Sequence, residues 1–98
     1  MKTLEIIIKE LGYIQNLYRN KDFIKEPAKV IYPKNFKQML ESYDVAVNEA
    51  PKKLVRIYIG LYIENKTQKQ LASELDITEK YIQLLNRQLI LFLQEKVT

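Results

Sequence analysis

Hydrophobic residues recur at three- and four-residue steps along most of this chain. Leu4, Ile7, Ile8, Leu11, Ile14 and Tyr18 form the first such row. That spacing puts one apolar stripe on a helix and predicts helix over about residues 3–20. Gly12 lies inside it, at a cost of about 1 kcal/mol relative to alanine. Phe36, Leu40, Tyr43 and Val47 predict a second helix over 34–48. Leu54, Ile57, Tyr58 and Leu61 predict a third. Pro51 suits its first position, because the N–H that proline lacks is unpaired there anyway. Between the first two helices, KDFIKEPAKVIYP reads as a loop broken by Pro27 and Pro33 and held down by Phe23, Ile24, Val30 and Ile31. Ile6–Ile8 and Leu54–Ile63 are rich enough in β-formers to be strands. No Asn-Gly or Asp-Gly turn stands beside either, so helix is the better reading. The expected fold is all-α.

The C-terminal half carries the sharpest local signals. Thr67 and Gln70 form a T-x-x-Q capping box, so a helix starts at Gln68. Leu71, Ala72 and Leu75 make its inner face, and Ser73 and Glu74 face out. Asp76 tolerates the left-handed conformation that ends such a helix. Thr78 is a second N-cap, and Ile77 and Ile82 bracket it as a hydrophobic staple. Two capped helices joined by a tight turn are the sequence form of a helix-turn-helix.

The last helix stays apolar further than one buried face requires. Ile82, Leu85, Leu89, Phe92 and Leu93 form its core stripe. Leu84 and Leu91 lie opposite, on the side of Lys80 and Arg87, and Ile90 lies on another flank. Two coverings fit this pattern. Residues 1–50 can fold back over the extra face, or Leu84 and Leu91 can meet a second chain in a symmetric dimer. The row Leu4, Leu11 and Tyr18 is the complementary stripe in either case.

Composition removes most chemistry. The chain has no cysteine and no histidine, so the usual nucleophile–base pairs and transition-metal ligands are missing. Two glycines cannot build a phosphate-cradling loop. Glu64, Glu74 and Asp76 are the nearest group of carboxylates, and solvent-facing positions and a turn explain them. No enzyme activity, cofactor or metal is expected. No stretch approaches the ~20 apolar residues of a membrane helix, and Ile6–Ile8 is too short for a signal peptide. The expected location is the cytoplasm. The net charge is +4, and residues 51–98 hold eight basic and five acidic groups against eight and seven in residues 1–50. This mild basic bias fits a nucleic-acid partner.

Residues 51–94 resemble the helix-turn-helix of region 4 of sigma-70-type factors and the related small phage-borne regulators of the ArpU and RinA kind. The resemblance rests on Leu54–Tyr62 as a leading helix, then Thr67, Gln70, Leu71, Ala72, Ile77, Thr78, Ile82 and Leu85. It implies two parts: an N-terminal helical arm over 1–50 and a helix-turn-helix domain over 51–98. It implies a sequence-specific regulator of transcription, of phage or mobile-element type, whose last helix reads the major groove of double-stranded DNA. By position, the implied contacts are Lys66, Thr67, Gln68 and Lys69 at one helix start, and Thr78, Glu79, Lys80, Tyr81, Gln83, Leu84 and Arg87 at the next. Gln83 suits an adenine edge, and Lys80 and Arg87 suit phosphate or guanine. Two positions depart from the family: Glu79 where a basic residue is common, and Leu84 where a polar one is. Glu79 also serves the helix dipole. Tyr58, Tyr62 and Tyr81 could stack on single-stranded bases, but core packing is the better reading. The competing function is a protein-interaction module on the same scaffold, binding RNA polymerase or another regulator without reading DNA.

Overall fold

The computed structural model describes residues 2–19 and 33–97. Helix α1 spans Leu4–Arg19, α2 Phe36–Asn48, α3 Lys52–Tyr58, α4 Gln68–Leu75 and α5 Glu79–Lys96. The described residues contain no strand, so the segments rich in β-formers are helical, as expected. The predicted loop lies outside the described residues, apart from Pro33, which packs ahead of α2 and accepts from the Phe36 N–H at 3.1 Å.

Helix α5 is the central element and packs against each of the other four. Its buried row is Ile82, Leu85, Leu89 and Leu93, with Val97 added beyond the helix end, while Phe92 of the predicted stripe is only partly buried. Ile7, Leu11 and Ile14 of α1 and Met39, Tyr43, Ala46 and Val47 of α2 enter the same core. One core is therefore built from both segments, and residues 1–50 contribute to it directly. This corrects the role of Leu11. Its side chain is 1% exposed, so it belongs to the core and offers nothing to a second chain. Tyr18 also packs against the core, whereas Leu4 is exposed.

Helix α3 does not end where its α-helical ladder does. It continues as a π-helical turn over Ile59–Ile63. Gly60 lies inside this turn. A Cβ there would sit 2.7 Å from Leu71 Cδ1, so α4 seats its buried leucine directly on the glycine backbone. The Glu64 N–H donates to the Ile59 carbonyl at 2.8 Å, and the Lys66 N–H to the Gly60 carbonyl at 2.9 Å. Asn65 closes the turn in the left-handed region at φ 57°. Gln15 of α1 donates to the Leu61 carbonyl at 3.1 Å. The widened turn is thus fastened to α1 through its backbone. Pro51 precedes the first helical residue of α3, as its N-cap with ψ 146°, one position earlier than predicted.

Candidate nucleic-acid interface

Both predicted caps form. The Thr67 side chain accepts from the Gln70 N–H at 3.0 Å, and the Gln70 Oε1 accepts from the Thr67 N–H at 2.9 Å. The Thr78 hydroxyl accepts from the Tyr81 N–H at 3.1 Å. Between them, Asp76 adopts φ 57° and ψ 46°. Its N–H donates to the Ser73 carbonyl, and the Ile77 N–H to the Ala72 carbonyl at 3.0 Å. This pairing closes the end of a helix around a left-handed residue. Ala72 is buried and Ile77 and Leu75 pack against the core. The orientation of α5 is therefore set by a short connection that is bonded at both ends.

That connection leaves one face of α5 open. Glu79, Lys80, Gln83, Leu84 and Arg87 are all exposed, as are Thr78 and Tyr81. Tyr81 is 42% and Leu84 48% exposed. The predicted contact residues on α5 thus share a solvent-facing surface. At the start of α4, Gln68 is half-buried and Lys69 is exposed, and Lys69 joins none of the ion pairs among the described residues.

Lys66 is half-buried and Thr67 exposed, and both have polar partners within the protein. The Lys66 ammonium lies 2.6 Å from Glu74 Oε2 and 3.2 Å from Glu64 Oε1. The hydrogen bonds to Glu74 and Glu64 hold its pKa above the ordinary lysine value. Its charge is already answered within the protein. These pairs also explain the Glu64 and Glu74 cluster, while Asp76 serves the turn. Thr67 spends both its hydroxyl and its N–H on the capping box.

A second basic group was not singled out from the sequence. Lys52, Lys53 and Arg56 on α3 are exposed. They line an open groove of about 330 Å³ with Ile57, Leu75, Ile77, Tyr81 and Leu85. Three cations therefore border the first turn of α5. Lys52 and Lys53 sit at the start of α3, where the helix dipole disfavours positive charge, and no acid occupies that first turn. Their placement is unfavourable for the helix itself. The signal was present as PKKLVR, but the spacing argument read only the inward residues Leu54, Ile57, Tyr58 and Leu61.

Tyrosines behave mainly as core. Tyr58 is 3% exposed, and Tyr62 donates to Asn86 Oδ1 of α5 at 2.7 Å. Burial raises the pKa of both, with the bond to Asn86 acting in the opposite sense on Tyr62. The Tyr58 ring is buried and the Tyr62 ring half-buried, whereas Tyr81 is exposed. Among the described residues, no group of three or more His, Cys, Asp or Glu could hold a metal ion, and no helix is long and apolar enough to cross a membrane. No protein-family model, curated protein or solved structure matches the chain.

Proposed function

We propose that this chain binds double-stranded DNA in a sequence-preferring way, as a regulator of transcription, with α5 presented to the major groove. One observation carries the reading: a polar, exposed face on the first turns of α5 stands beside a cluster of three cations on α3 that join no ion pair among the described residues. Phosphate contacts position a protein on the duplex, and base-edge contacts specify the sequence. Lys52, Lys53, Arg56 and Lys69 have the chemistry for the first task. Lys80, Gln83 and Arg87 have it for the second, and Leu84 suits a thymine methyl. Glu79 is best assigned to the dipole of α5, whose first turn it occupies.

The test separates these roles. Gln83→Ala should cost about 1–3 kcal/mol at the preferred site and little elsewhere. Lys52→Ala, Lys53→Ala and Arg56→Ala should weaken all duplexes alike, each lowering the salt slope by about 1. Equal binding by the parent and all these variants would show that this face does not meet DNA.

The exposure of Leu84 and Leu91, 48% and 45%, favours a second reading. In it, the same scaffold binds protein, such as RNA polymerase or another regulator. Salt-insensitive behaviour toward DNA, with partner binding lost in Leu84→Lys, would select it.

A further inference from the structure

We infer that α5 pairs with α5 of a second copy of this chain, antiparallel, about a twofold axis between Arg87 and Gln88. Lys80, Leu84, Gln88, Leu91 and Glu95 are all exposed. At ~100° per residue they fall within an arc of about 80°, so they form one straight stripe. The stripe runs for about 22 Å at 1.5 Å per residue. It is self-complementary when reversed. Turning a second copy end for end places Leu84 on Leu91 of that copy, Lys80 on its Glu95, and Arg87 beside its Gln88. Every contact then occurs twice, as an isologous interface requires.

The charges at its two ends support this occupant over others. Among the described residues, neither Lys80 nor Glu95 takes part in an ion pair within the chain. Each also stands at the wrong end of its own helix. Lys80 is in the first turn of α5 and Glu95 in the last, where the dipole disfavours them. Neither is there for the stability of the helix. Antiparallel pairing answers both at once, with two apolar contacts between them. Two leucines from each copy form a small apolar centre, so the dimer is weak and reversible.

The pairing has a consequence that rests on the duplex-binding reading. It covers Lys80, Leu84 and Arg87, which that reading also uses. Dimer and duplex therefore compete for one surface, and self-association holds the reading face in reserve.

Sedimentation of the full chain without DNA, over a range of concentrations at low salt, tests the pairing by itself. The parent should move from monomer to dimer as concentration rises. Lys80→Glu and Glu95→Lys should each weaken association roughly ten-fold, because each makes two like-charge contacts. The double variant should restore it. Leu91→Gln should be monomeric throughout, with a helical circular-dichroism spectrum equal to the parent's. A parent that stays monomeric overturns the proposal, and so does a double variant no better than the singles. Adding a duplex that binds should then convert dimer to a monomer–DNA complex. A complex holding two chains that dissociate on Leu91→Gln would overturn the competition. A chain that dimerises as described but binds no duplex refutes the DNA reading and leaves the pairing standing.

Discussion

Gly60 and Gly12 show how differently one residue type acts in two settings. At Gly60 a methyl group would come within 2.7 Å of the side-chain end of Leu71, itself buried at 2% exposure, so that leucine must shift. Gly60→Ala should lower stability by about 1–3 kcal/mol through overpacking. At Gly12 an added Cβ meets nothing within 4 Å. Gly12→Ala should raise stability by about 0.5–1 kcal/mol, because alanine restricts the unfolded chain. Chemical denaturation of the two variants checks both signs. Two buried tyrosines make a further contrast. The Tyr43 hydroxyl donates to Glu10 Oε1 at 2.8 Å, while the Tyr58 hydroxyl is buried with no partner among the described residues. Tyr58→Phe should therefore be neutral or stabilising, whereas Tyr43→Phe loses a bond to a carboxylate, worth about 1.5–3 kcal/mol. Burial raises the pKa of both rings, assisted at Tyr43 by Glu10 and at Tyr58 by Asp44. A folded-state pKa above the unfolded value of about 10 adds stability below that pH and loses it as pH rises. Unfolding monitored against pH should show an alkaline transition, with the buried tyrosines ionising only as the fold is lost.

The elements differ in how openly the sequence declares them. Local signals gave α4 and α5 with their caps, since a capping box and an N-cap threonine act within a few residues. The buried row of α5 was legible for the same reason: periodicity follows from packing on one side. The π-helical turn was not legible. It meets Leu71 at Gly60 and Gln15 at Leu61, contacts that no local spacing announces. Met39 and Ala46 were missed because α2 buries a wider face than one row of its spacing. The stripe of Leu4, Leu11 and Tyr18 left open whether it covers the last helix of its own chain or meets a second one, and Leu11 serves the core, since a stripe says that a face is covered and not by what. The α4–α5 connection yields its own prediction. Thr78→Ala removes the cap on the Tyr81 N–H and should cost about 1 kcal/mol. Asp76→Gly should stabilise, because glycine enters the left-handed region without strain. Thermal unfolding of the two variants should move in opposite directions.

For the molecule as a whole, position along the chain matters less than which charges remain unanswered. Lys66 looked like a phosphate contact from its place in the motif, yet Glu64 and Glu74 hold it. Lys52, Lys53 and Arg56 looked incidental, yet folding brings them to the groove beside Tyr81. The proposed interface is thus assembled from α3 and α5 together. The most direct test is fluorescence anisotropy of the full chain against a randomised duplex pool at low and moderate salt, with sequencing of the bound fraction. The account predicts affinity that falls steeply with salt, an enriched sequence motif, and loss of the motif in Gln83→Ala. Absence of binding at low salt, or binding that ignores salt and sequence, would contradict it.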